Sequence, residues 1–164
     1  MDTTSDDNPH SSNKADMNDS ALMPPNAPLP SGFFVEIPFV ESLGLRLDHF
    51  EPGHSHMSLD PQPRHLNSWG VVHGGVLMTM LDVAMSAAGR TSVEELRSGG
   101  NATIEMKTSF MRPAKGALKV IGTCLHRSTT MTFCEAQLMV QDGTVVARAT
   151  GTFKIMKSTV HNLK

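Results

Sequence analysis

The chain has 164 residues, 39% of them apolar, and a formal net charge of −2, a size that suits one domain. No run of about 18 apolar residues occurs, so no membrane-spanning helix is expected, and the near-neutral balance offers no general footprint for nucleic acid. Cys124 and Cys134, the two cysteines, lie in strand-like stretches without metal spacing, so reduced cytosolic thiols are expected rather than a disulfide framework.

Residues 1–30 hold five prolines and five aspartates against one lysine, net −4. Such a polar opening cannot bury enough apolar surface to offset its ordering entropy. It reads as a disordered acidic, Pro-rich tail (1–30) without the apolar segment of a secretory leader, ahead of a single domain over 31–164. Phe33-Phe34-Val35-Glu36-Ile37-Pro38-Phe39-Val40 reads as a short helix or turn packed on that domain. Alternation of Leu43, Leu45 and Leu47 predicts a half-buried strand. A second short strand runs through His56-Met57-Ser58-Leu59 until Asp60-Pro61-Gln62-Pro63 breaks it.

A long helix is predicted over roughly Gly74 to Gly89. There Val76, Leu77, Met80, Leu81, Ala84, Met85 and Ala88 cover most of the circumference, the mark of a buried helix. The polar residues 90–100, ending in Gly99-Gly100, read as a loop. Ile104, Met106, Thr108 and Phe110 then alternate with Thr103, Glu105, Lys107 and Ser109. Leu118, Val120, Gly122 and Cys124 follow at period two, and Met131–Val140 and Val145–Ile155 flank an Asp142-Gly143 hairpin signal. Two strands, one buried helix and a meander of three or four strands call for a sheet curved around that helix, an α+β fold. Methionine is frequent and reads as adaptable core filling, although Met78, Met80 and Met85 on the helix would also suit an acyl tunnel. Within the domain, residues 31–100 carry net −4 and residues 101–164 net +6. Solvated strand faces with edge-guarding lysines account for this split, as does attraction for an anionic ligand near the second half.

Two features carry chemistry. Thr79, Asp82 and Ser86 are three and four residues apart and line one helix face. A carboxylate inside an apolar helix costs several kcal/mol unless paired, hydrogen-bonded or protonated, so Asp82 is either a satisfied structural group or a functional one. Asn67-Ser68-Trp69-Gly70-Val71-Val72-His73-Gly74-Gly75 leads directly into the helix. Its paired glycines admit a ligand close to the backbone, and the first-turn N–H groups bind polarised oxygens, which makes the Gly74 N–H a candidate oxyanion donor. Trp69 reads as packing or a substrate wall. His54, His56 and His65 lack zinc spacing, so no metal is expected.

The run Asn67…Gly70-Val71-Val72-His73-Gly74-Gly75…Leu81-Asp82, continued by Phe110-Met111-Arg112-Pro113-Ala114, resembles the signature of hotdog-fold acyl-CoA thioesterases of the PaaI-like group, over roughly residues 40–156. The resemblance implies a long helix wrapped by a curved antiparallel sheet, dimerised through edge strands and paired again into tetramers. It implies a cytoplasmic enzyme that hydrolyses acyl-CoA to a free acid and CoA, with no cofactor and no nucleic-acid or membrane partner. Asp82 matches the carboxylate that activates water, Gly74 the N–H that polarises the thioester carbonyl, and Asn67 its side-chain assistant. Thr103 falls where relatives place a Ser or Thr near the water. Of the ligand-facing turn, Gly75 completes the backbone and the His73 ring shapes it rather than acting as base. Arg112, Lys115 and His126-Arg127-Ser128 fall where relatives contact the pantetheine and phosphates of CoA. Two other readings are an acyl-CoA-binding hotdog protein without turnover, which would not need Asp82, and a hotdog hydratase or dehydratase, which needs an Asp–His pair not found around the helix start.

One helix cannot readily supply both halves of such a site. At about 1.5 Å per residue, Gly74 and Asp82 stand roughly 12 Å apart along the axis, whereas the water must reach the carbonyl carbon whose oxygen lies about 3 Å from its donor. Two antiparallel helices about a two-fold axis can, with Gly74 and Asn67 from one chain and Asp82 and Thr103 from the other.

Overall fold

In the computed structural model, residues 27–98 and 100–156 are described, and most of the predicted acidic tail and the last eight residues of the predicted domain lie outside them. The elements are α1 (Pro38–Leu43), β1 (Arg46–Glu51), β2 (His54–Leu59), a 3-10 turn (Pro63–His65), α2 (Gly74–Ala88), α3 (Val93–Ser98), β3 (Asn101–Phe110), β4 (Leu118–Arg127), β5 (Met131–Val140) and β6 (Val145–Ile155). All six strands form one antiparallel sheet in the order β1-β2-β4-β5-β6-β3. The meander is therefore β4-β5-β6 alone. β3 precedes it in sequence but pairs with β6 at the far edge, so a long crossover carries the chain from one side of the sheet to the other. With the helix enfolded by the sheet, this is the α+β hotdog architecture.

α2 is the spine. Met80, Leu81, Ala84 and Met85 are wholly buried against the sheet. Close contact depends on Gly122 of β4, where a Cβ would stand 2.4 Å from the Ala84 carbonyl oxygen. Ser55 of β2 donates its hydroxyl to the same oxygen at 2.7 Å. The helix is not buried all round, however. Gly75 and Met78 are exposed and Thr79 and Asp82 half-buried, so one side opens outward. Met80 and Met85 belong to the core and Met78 to the surface, none of them lining the cavity beside Asp82.

Several expectations shift. The apolar run at 33–40 divides at Pro38, whose ring suits the first turn of a helix. Only its end is helical, and Phe33–Ile37 form an irregular strap. Leu43 closes α1 rather than starting a strand, with Gly44 in the left-handed conformation after it. Residues 93–98 are a helix, not a loop. The Ser92-x-x-Glu95 spacing is its signal: Ser92 Oγ accepts the Glu95 N–H at 3.2 Å, and the Glu95 carboxylate accepts the Thr91 N–H at 2.8 Å. Trp69 is 84% exposed rather than packed in the core. Cys124 and Cys134 are free thiols opposite one another on β4 and β5. Burial and the neighbouring Cys124 push the Cys134 thiol up to about 12.

Candidate active site

Asp82 lies halfway along α2, where the curled sheet leaves a seam between its two edges. Thr103 of β3 donates its hydroxyl to Asp82 Oδ1 at 2.8 Å. Strict alternation would group Thr103 with Glu105 and Lys107 on the outer face. A bulge prevents this: Thr103 pairs with Phe153 and Glu105 with Thr152, leaving Ile104 as the extra residue. A bulge re-aims the side chains on either side of it, and here it turns Thr103 toward the helix. Two influences set the titration of Asp82. Burial, the larger, pushes its carboxyl above the usual range, and the Thr103 hydrogen bond pulls it partly back. A half-desolvated carboxylate with a raised proton affinity is suited to accept a proton from water.

The helix start is built as an oxygen-binding end. His73 is extended (φ −62, ψ 136) and caps the helix by accepting the Gly75 N–H on Nδ1 at 2.9 Å. Its carbonyl takes the Val76 N–H at 2.9 Å and the Leu77 N–H at 3.3 Å. The Gly74 N–H finds no acceptor among the described residues. Asn67 folds the preceding loop: its Oδ1 accepts the Trp69 N–H at 2.9 Å and the Val71 N–H at 3.3 Å. Two donors on that oxygen fix the amide orientation and leave Nδ2 as its donor. Phe110, at the end of β3, lies over this turn, its ring 3.5 Å from where a Gly74 Cβ would be.

Within one chain these two groups stay apart. The cavity beside Asp82, about 140 Å³, takes in Thr103 but neither Gly74 nor Asn67. The residues proposed for CoA also fall into two groups. Arg112 donates to the Val145 carbonyl at 2.8 Å, and with exposed Lys115 it occupies the loop whose Ala114 carbonyl accepts the Val72 N–H at 3.0 Å, beside the helix start. His126, Arg127 and Ser128 lie by the opposite end of α2. There Arg127 donates to the Gly89 carbonyl and pairs with Glu95 at 2.9 Å, while Ser128 Oγ accepts the Met131 N–H at 3.0 Å within the hairpin turn. Arg127 and Ser128 are thus engaged within the fold, whereas the His126 ring is exposed beside Phe133.

Two polar residues at the site, Arg90 and Asn101, escape the sequence reading. Asp82, Ser86 and Arg90, spaced four apart, all line the cavity with Asn101. The Ser86 carbonyl accepts from Arg90 Nη1 and from Asn101 Nδ2, each at 3.0 Å. The spacing of Arg90 signals its place on that helix face, but nothing local marks Asn101.

Comparison with known proteins places the chain in a family. The thioesterase superfamily model matches residues 70–147. YigI of Salmonella typhimurium, a medium/long-chain acyl-CoA thioesterase, is 27% identical over 137 residues, 75% of this chain and 88% of its own. A Mycobacterium tuberculosis protein that carries an esterase's name is 30% identical over 129 residues, 77% of this chain and 91% of its own. Among solved structures, PA5202 of Pseudomonas aeruginosa superposes with a TM-score of 0.67 at 26% identity, covering 74% of this chain and 95% of that one. A mutant of the phenylacetic acid degradation protein PaaI of Thermus thermophilus gives 0.63 at 25% identity, covering 72% and 98%. By these likenesses the chain belongs to the hotdog-fold thioesterase superfamily.

Proposed function

We propose that the protein is an acyl-CoA thioesterase of the PaaI-like group, acting in the cytoplasm as a homodimer that pairs again into a tetramer. Each dimer has two sites at the subunit boundary. In each, Asp82 as carboxylate orients and deprotonates a water held with Thr103, and the water attacks the thioester carbon. Gly74 N–H and Asn67 Nδ2 of the partner stabilise the developing oxyanion, and CoA leaves as the thiol with a free acid as co-product. Such a donor contributes about 3–4 kcal/mol to transition-state stabilisation.

The observation that carries this reading is the course of β3. It is a ten-residue edge strand. Its Thr103 end touches Asp82, and its Phe110 end covers Gly74. Antiparallel pairing of two such edges about a two-fold axis sets the Thr103 end of one chain beside the Phe110 end of the other. Asp82 then faces Gly74 of the partner. The surface supports burial there, since Ile104, Phe110, Met111, Met78 and Trp69 are all large, apolar and exposed in the single chain. Long unpaired edges are themselves sites for strand pairing. Arg112 and Lys115 of one chain and His126 of the other are proposed to hold the nucleotide, with Gly75 and His73 lining the turn that the pantetheine passes.

Asp82→Asn tests the chemistry. Assayed against an acyl-CoA panel with a thiol-reactive dye, it is expected to lower kcat at least about 100-fold with the fold intact. An unchanged kcat removes Asp82 from the mechanism.

A further inference from the structure

The cavity beside Asp82 is closed by a part of the chain outside the segment that the thioesterase superfamily model matches. β1 and β3 are the two edges of the sheet, yet Leu47 of β1 and Thr103 of β3 line the same cavity. The sheet has curled until its edges approach one another across α2. The gap between them is covered by the strap Phe33–Ile37 on one side and by Leu96 of α3 on the other.

The strap is fastened, not merely draped. The Leu47 N–H donates to the Ser31 carbonyl at 2.9 Å, and the Gly32 N–H to the Leu29 carbonyl at 2.7 Å. Gly32 has φ +81, and a Cβ there would stand 1.9 Å from the Leu47 carbonyl oxygen, so only glycine permits this turn. Phe33 anchors it in the core at 5% exposure. Phe34 lies over the cavity with the Arg97 guanidinium 5.9 Å from its ring centre. Ser86 of α2 and Arg90, just beyond its end, close the far end with a bonded polar pair. An apolar chain reaching that end would have to displace these hydrogen bonds or desolvate the guanidinium, both unfavourable.

Building on the thioesterase reading, we infer that the strap, chiefly Phe34 and Ile37, is the specificity-determining wall of the acyl pocket and limits the acyl group to a compact one. The volume sets the limit. About 150 Å³ is room for one benzene-sized guest, and the cavity within one chain measures about 140 Å³. Groups of one ring or comparable aliphatic bulk fit beside Asp82, and long chains do not unless the strap lifts.

The test compares wild type with Phe34→Ala and Gly32→Ala, each checked for a cooperative melt, on a series from butanoyl-CoA to palmitoyl-CoA with phenylacetyl-CoA included. The wild-type kcat/KM is expected to fall sharply beyond compact groups. Phe34→Ala should raise the ratio of kcat/KM for dodecanoyl-CoA over butanoyl-CoA at least about 10-fold, the low end of what one methylene contributes to discrimination. Gly32→Ala should move the ratio the same way if it folds; Phe34→Ala decides the matter if it does not. A ratio unchanged in Phe34→Ala makes the strap a structural cover and overturns the inference. Hydrolysis of no acyl-CoA by wild type would instead defeat the thioesterase reading. In that case, the same series measured as Kd by calorimetry still tests the wall, with the same ratio supporting or overturning it.

Discussion

At the residue scale the account rests on the balance at Asp82, where burial disfavours charge and one hydroxyl favours it. The folded state therefore binds this proton more tightly than the unfolded chain. Stability contributed by the protonated form is lost as pH rises from the ordinary carboxylate range near 4 through the raised value, and at neutral pH the ionised side chain weakens the fold. Asp82→Asn should accordingly raise Tm at pH 7 while lowering kcat, and the gain should vanish at a pH where Asp82 is protonated in both states. An equal or lower Tm at pH 7 would show that the ionised carboxylate is satisfied by groups beyond Thr103. The same balance predicts an acid limb of kcat above the usual carboxylate range. Thr103→Val removes the one influence that pulls the proton affinity down, so its limb should move to higher pH. A limb that stays in place would place Thr103 outside the protonation equilibrium. Asp82 was legible in the sequence because a lone acid on an apolar helix is costly. Thr103 came from the family resemblance and not from the residue pattern, because it alternates with outward residues and only the bulge at Ile104 brings it round.

Helix and sheet meet through elements whose contacts depend on residue size. Gly122 lets the Ala84 carbonyl lie against β4, so Gly122→Ala should cost about 3 kcal/mol, at the upper end for overpacking, because the clash is with backbone rather than a movable side chain. Urea denaturation at constant m-value would measure it, and a loss under about 1 kcal/mol would mean that the helix shifts freely on the sheet. α2 itself was legible from its apolar spacing and the glycine after it. Gly89 ends it for a reason the pattern does not carry: it stays in the right-handed region, and a Cβ there would press on Thr132 and Asn101 side chains. α3 was hidden by its polar composition although Ser92 and Glu95 spelled out its cap. The strap was hidden because Phe33–Ile37 has no period. Its conformation is set by Gly32 against Leu47, fifteen residues away in sequence, a contact that no local pattern encodes.

For the whole molecule the question is how an edge strand, a helix start and a carboxylate in one chain become a site. The fold class was legible because a single buried helix among strands admits few architectures. The order of strands was not, since β3 reaches β6 by a crossover that no turn signal announces. The division of charge, net −4 over residues 31–100 and net +6 over residues 101–164, gives the proposed dimer basic loops for CoA phosphates. KM for an acyl-CoA should rise with salt, as screening of exposed charges requires, and Lys115→Ala should raise KM at low salt and flatten that dependence. Indifference of KM to Lys115→Ala would send the nucleotide elsewhere. The central claim, that each site is shared between subunits, is tested most directly by mixing two inactive chains, Asp82→Ala and Gly74→Pro. The second removes the N–H at a first-turn position that tolerates proline, after a His73 already extended, and its Cβ would meet the Phe110 ring at 3.5 Å, an ordinary contact. A mixed dimer holds one intact and one doubly broken site, so an equal mixture at random exchange should recover about a quarter of wild-type activity. Mixed dimers demonstrated by mass spectrometry but without activity would contradict the account.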